Sequence, residues 1–260
     1  MIPNRVRTTV LLVVAVALSV AALAQPARAA TRTESARLLH TRLMAAGRSL
    51  NWSGYIKAGK ALTSSSASWH VPAVKTSTPG YSSTWVGIDG ATSKDGYLIQ
   101  TGTESDVVGG KAQYRAWWEV ITPSNAAPET LYSNFTIHPG DSMHATVSKL
   151  ASGKWSMTLR DYTTGRTATH TAAFAGTGAS AEWIQEDTDV NGYVSTAPNW
   201  GTVTISGITV NGANPALTAS QAVEIVDAKN TREDSVSAPG ASHDGFSVTW
   251  LAAGTRTYVG

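Results

Sequence analysis

Two strand-like segments of this chain each carry a polar residue that a buried strand rarely spends. They are Tyr97-Leu-Ile-Gln100-Thr-Gly-Thr103 and Ala181-Glu-Trp-Ile-Gln-Glu186-Asp187. Gln100 offers an amide that does not titrate, and Glu186 a carboxyl that can take or give a proton. Brought together in a cleft, they supply a proton-transfer group and a hydrogen-bond donor, enough to drive water at a carbonyl. Neither segment is specific by itself.

The strands that must position them can be sorted by alternation, since successive side chains point to opposite faces. In 84–89, Val86 and Ile88 share one face, while Trp85, Gly87 and Asp89 share the other. In 114–120, Tyr114, Ala116, Trp118 and Val120 oppose Arg115, Trp117 and Glu119. Around Gln100, Tyr97, Ile99 and Thr101 oppose Leu98, Gln100 and Gly102. The first set in each case suits the core of a sandwich. The second mixes Trp with Asp, Glu, Gln or Arg, as an aromatic-lined, wet concave face would. The Glu186 strand sorts less cleanly, because Glu182 and Ile184 share its face, and a bulge or an edge position is expected there. Trp beside Glu is also a common solvent-facing cross-strand pair, so the pattern gains weight only by recurring.

Competing catalytic signatures are weak or missing. No Gly-x-Ser-x-Gly elbow occurs, and Gly140-Asp-Ser-Met143 reads as a turn into a strand rather than a nucleophile. The six His lack metal-ligand spacing, and the chain has no cysteine, so no metal and no cofactor is expected. Asp187-Thr188-Asp189 is not the paired Asp-Thr-Gly of an aspartic protease. Two rivals remain open. One is a glycoside hydrolase using Glu119 and Glu186; the other is a carbohydrate-binding module that does no chemistry.

Arg5 and Arg7 precede an apolar run from Val10 to Ala24, and Ala27-Arg28-Ala29 has the small-x-small pattern of a signal-peptidase site. Residues 1–29 are therefore expected to be a signal peptide, with secretion and no membrane association once it is removed. Residues 30–50 place Ala36, Leu38, Leu39, Leu43 and Met44 at helical spacing among arginines, and read as a basic pro-segment. Residues 51–260 hold 13 Lys and Arg against 17 Asp and Glu, a net charge of −4, which gives no electrostatic case for nucleic acid. This stretch is rich in short alternating runs separated by Pro139-Gly140, Asn191-Gly192, Asn211-Gly212 and Asp244-Gly245. Such punctuation, with no long helical period, predicts a single all-β domain, an antiparallel sandwich of two sheets; a monomer is expected.

Seven blocks then match one family in order: Asn51-Trp-Ser-Gly-Tyr55, Ser68-Trp-His-Val-Pro72, Trp85-Val-Gly-Ile-Asp-Gly90, Leu98-Ile-Gln-Thr-Gly102, Ala116-Trp-Trp-Glu119, Gly140-Asp-Ser142 and Ala181-Glu-Trp-Ile-Gln-Glu-Asp187. The chain resembles the glutamic peptidases, or eqolisins, and reads as a bacterial relative. The resemblance implies a lectin-like sandwich of two bent sheets with its active site on the concave face, acting on protein and peptide substrates. It places the catalytic pair on Gln100 and Glu186, with Trp85, Asp89, Trp117 and Glu119 in support. Glu119 and Asp89 would orient the pair, and Trp85 and Trp117 would wall the groove. Arg115 stands where the fungal enzymes carry an acid; a cation there is expected to favour ionised Glu186 and lower its pKa.

Overall fold

The computed structural model describes residues 43–44, 47–91, 96–126 and 129–258. The apolar leader and most of the 30–50 segment lie outside the described residues. All the described residues fall within one unit, 32–260.

Runs rich in Val, Ile, Thr, Ser and Trp form strands here because branched and aromatic side chains pack well on a pleated surface. Among the described residues they build two large sheets. The larger runs in the order Leu43–Met44, Arg48–Ser49, Ala222–Ile225, Trp52–Ala58, Ser180–Asp187, Ser82–Ile88, Leu98–Val108, Lys111–Thr122 and Asn125–Ala126, with Thr130–Leu131 also on Lys111–Thr122. The other runs Thr167–Ala172, Trp155–Asp161, Ser142–Lys149, Ser64–His70, Thr202–Val210, Phe246–Trp250 and Asp234–Val236. The fold is thus the antiparallel sandwich the turns predicted, with one exception: Arg48–Ser49 runs parallel to Ala222–Ile225. A small third sheet contains the hairpin of Asp189–Val190 and Tyr193–Val194. Its turn is Asn191-Gly192, whose positive φ values of 57° and 76° suit a two-residue hairpin loop.

The core lies between the two large sheets. Tyr55, Val86, Ile88, Ile99 and Trp183 from one meet Trp69, Met143, Leu159, Ile205 and Val248 from the other. Two indoles cross the gap with their polar ends satisfied. Trp183 Nε1 donates to the Ser66 carbonyl (3.1 Å), and Trp69 Nε1 donates to Thr103 Oγ1 (3.0 Å). Truncating a tryptophan buried this way costs about 3–5 kcal/mol.

Leu43 and Met44, read above as part of a helical pattern, form a strand. They pair back onto Met44↔Arg48 and Leu43↔Ser49 around Gly47, whose φ of 72° suits a turn. The pairing is imposed by the rest of the sheet: Glu224 N donates to Gly47 O (3.0 Å) and Val226 N to Ser49 O (2.9 Å). Local spacing yields to such tertiary hydrogen bonds.

Candidate active site

The larger sheet has a second apolar cluster on the face turned away from the core: Trp52, Trp85, Leu98, Trp117, Ile121, Ile184 and Val223. The alternation expected from the sequence holds for the Trp85, Gln100 and Trp117 strands. Strand register builds this face in rows. Ile184 stands opposite Gly54 and Trp85, Trp85 opposite Gly102, and Gly102 opposite Trp117. Gly102 has a steric reason: a Cβ there would lie 2.2 Å from the Thr84 carbonyl oxygen and 2.6 Å from the Trp85 Cβ. Trp52 closes on Trp85 edge to face, with ring centroids 4.8 Å apart.

The expected bulge or edge at Glu186 is not found. The Ser180–Asp187 strand is interior, in unbroken register with Trp52–Ala58 on one side and Ser82–Ile88 on the other. Placing Glu182, Ile184 and Glu186 on one face needs no irregularity, because this face buries carboxyls as well as indoles.

Glu186 stands opposite Trp52 and Ser83, while Gln100 stands opposite Gly87 and Glu119. The pair therefore flanks the Ser82–Ile88 strand with a four-residue offset, about 13 Å along the strand at 3.3 Å per residue. The Trp85 indole occupies that interval. Its Nε1 donates to Glu186 Oε2 (2.7 Å), and its far edge reaches Gly87, where a Cβ would lie 2.8 Å from the ring. Trp85 and Trp117 are buried, at 0% and 2% exposure, so they form the floor of the site and not the groove walls the sequence suggested.

Glu186 receives a second donor, Asn51 Nδ2 to Oε1 at 3.1 Å. Burial among these aromatic groups pushes its carboxyl up to about 8, and the charge of Glu119 adds to the rise. The N–H donors of Trp85, Trp52 and Asn51 pull the other way. Gln100 is 5% exposed, and its Nε2 donates to Glu119 Oε2 at 2.6 Å. Its Oε1 has no protein partner among the described residues. Glu119 thus touches Gln100 directly and Glu186 through its field.

Arg115 does not do what the sequence suggested. Its Nε donates to Glu104, its Nη2 to Asp106 (2.7 Å) and its Nη1 to Gln113 (3.2 Å). Those carboxylates, on the neighbouring Leu98–Val108 strand, absorb the cation, and the Glu186 carboxyl moves up, not down. Asp89 is also displaced from its expected role of orienting the pair. It adopts φ 67° after the strand end, and its carboxylate accepts from the amides of Gly178 (2.9 Å) and Ala179 (2.6 Å). There it fixes the approach to the Glu186 strand, and its charge adds to the rise that burial gives the Glu182 carboxyl.

Sequence reasoning passed over Asn51, Trp52, Glu104 and Asp106. The first two lie in the opening motif block, so the block itself was the signal; nothing local marked the acids that hold Arg115.

Residues 50–250 match the model of the Peptidase A4 family. The chain is similar to Aspergillopepsin-2 of Aspergillus niger, 28% identical over 200 residues that make up 67% of this chain and 68% of that protein. It is similar to Scytalidopepsin B of Scytalidium lignicola, 32% identical over 143 residues, 53% of this chain and 51% of that protein. Scytalido-glutamic peptidase, solved with a transition state analog inhibitor, shares the fold with a TM-score of 0.62 and 24% identity. That superposition covers 77% of this chain and 98% of the solved one.

Proposed function

The chain belongs to the Peptidase A4 family of peptide-bond hydrolases, and we propose that it is a secreted endopeptidase that cleaves peptide bonds at acidic pH with Gln100 and Glu186. One observation carries the reading: a single carboxyl, Glu186, is held on both oxygens by side-chain N–H donors in a tryptophan-floored recess. The family leaves the glycosidase and binding-module alternatives without support.

At acidic pH the raised Glu186 carboxyl carries a proton, so the neutral acid is the starting form, in place of the ionised form expected from Arg115. Water attacks the scissile carbon. One Glu186 oxygen accepts the water proton while the other hands its own proton to the carbonyl oxygen, leaving a gem-diol. Gln100, its amide anchored on Glu119, turns its second Nε2–H to that oxygen as charge gathers there, and its Oε1 accepts from the water. One such donor is typically worth about 3–4 kcal/mol of barrier. The C–N bond then breaks: Glu186 passes a proton to the amine nitrogen and recovers one from a gem-diol hydroxyl. The leader would direct export, and the part of the basic 30–50 segment that precedes the paired Arg48–Ser49 strand would act as a pro-segment over this acidic site until it is removed.

The test is cleavage of denatured casein from pH 2 to 9, with pepstatin and EDTA controls, xylan as a second substrate, and Glu186→Gln and Gln100→Ala variants. Casein cleavage that resists pepstatin and EDTA and disappears in both variants is expected. Activity retained by either folded variant would overturn the assignment.

A further inference from the structure

The Glu186 carboxyl is steered by a residue more than a hundred positions away, at the start of the domain. Asn51 is 3% exposed and donates from Nδ2 to Glu186 Oε1. An asparagine amide can face either way, and its orientation decides whether the glutamate meets a donor or an acceptor. Ser49, itself buried, settles the matter. Its Oγ accepts from the backbone amides of Asn51 (3.3 Å) and Trp52 (3.1 Å). Its hydroxyl donates to an acceptor on Asn51, 3.3 Å away. That atom is Oδ1, so Nδ2 is turned to Glu186.

We propose that Asn51, locked in one orientation by the Ser49 hydroxyl, is a positioning residue that holds Glu186 in its reactive rotamer. This rests on Glu186 being the reacting carboxyl. Because the clamp fixes a donor, the contact persists whether Glu186 is neutral or ionised, and it favours the ionised form. The charged groups around Glu186 are Glu119 from the Lys111–Thr122 strand, which raises it, and Asp187 from its own strand, which Glu186 in turn raises and which is neighboured by Glu233 and Asp234. On Glu186, Asn51 pulls against burial and Glu119. A corollary concerns processing: an active form must keep Ser49, so the pro-segment boundary falls before it.

Removing the donor should lower kcat and also move the alkaline limb of the pH profile upward, since the carboxyl loses a partner that favours its charge. In Asn51→Ala we expect kcat at least tenfold lower, KM within about threefold, and a limb higher by about one unit. Asn51→Asp, which keeps the shape, guards against a folding defect and should show the same loss and an upward limb. Ser49→Ala should give a smaller change in the same direction, and Ser49→Thr, which keeps the hydroxyl, a smaller one still. Carbon-13 NMR titration of the carboxyl reads the shift independently of turnover. Unchanged kcat and limb in folded Asn51→Ala and Asn51→Asp, with Glu186→Gln inactive, would overturn the proposal alone. Activity in Glu186→Gln would instead remove the functional reading beneath it. A fully active secreted form that begins at Asn51 or later would also overturn it.

Discussion

The Ser180–Asp187 strand carries Glu186 and Asp187 side by side on opposite faces, and burial raises both carboxyls. Their surroundings differ in kind. Glu186 meets N–H donors from Asn51 and Trp85 and remains partly exposed. Asp187 is fully buried beside Glu233 and Asp234, whose charges raise it further. Glu182, four residues back on the Glu186 face, is equally buried and sits by Asp89. A raised carboxyl is therefore common on this strand; a raised carboxyl that is also accessible and held on both oxygens is found at Glu186. Donor geometry with access, more than acidity, sets the proposed reacting group apart from its buried neighbours.

The sharpest way to break the contrast is to neutralise each carboxyl. Glu186→Gln should lower kcat by at least a thousandfold, whereas Glu182→Gln, which mimics the protonated acid, should stay within about tenfold of the parent. Comparable losses in the two, measured on folded protein, would erase the distinction. Next in size, Trp85→Phe keeps the aromatic floor but removes the N–H on Oε2. We expect a drop of about ten- to a hundredfold in kcat and an alkaline limb moved upward, read from kcat/KM against pH.

The buried group predicts stability instead of rate. Asp234 is pushed up to about 8 by burial, and Asp187 and Glu233 are raised as well. A carboxyl whose folded pKa exceeds its unfolded one binds its proton more tightly in the native state. Stability is then full below about pH 4 and falls as pH rises toward 8. Melting should drop by roughly 10 °C across that window, and Asp234→Asn should flatten the slope. A melting temperature that rises from pH 4 to 8 would contradict this. The smallest effect concerns Arg115. Arg115→Gln should leave the Glu186 limb within about 0.3 units while costing about 3 kcal/mol of stability, because the buried Glu104 and Asp106 lose their half-buried cation. Urea unfolding beside the pH profile separates the two outcomes.

These contrasts mark where sequence reading succeeded. Period-two alternation placed Trp85, Gln100, Trp117 and Glu119 on one face, since facing along a strand is a local property. Ordered motif blocks pointed to the same Gln and Glu. What escaped was register and rotamer. Whether Arg115 meets Glu186 or Glu104 depends on which strands are neighbours. Its row runs Glu186, Ser83, Glu104, Arg115, which interposes an acid that no spacing rule reveals. Asp89 likewise looked like a member of the polar face, but its positive φ turns it out of the strand toward the 178–179 amides. Leu43 and Met44 had helical spacing and no local cue to the distant Ala222–Ile225 strand, which seats their partner Arg48–Ser49.

The parallel pairing of Arg48–Ser49 with Ala222–Ile225 also bears on when the site comes into being. In the sheet, Ala222–Ile225 lies between Arg48–Ser49 and Trp52–Ala58, and Val226 N closes on Ser49 O. As a nascent chain lengthens, Ser49 and Asn51 emerge early, yet the strand that seats them arrives some 170 residues later. Contacts of such high sequence separation form late. Growing chains that have made Glu186 but not Ile225 carry that carboxyl while Ser49 and Asn51 still lack the strand that seats them, so the proposed clamp forms only after Ala222–Ile225 has been made and paired.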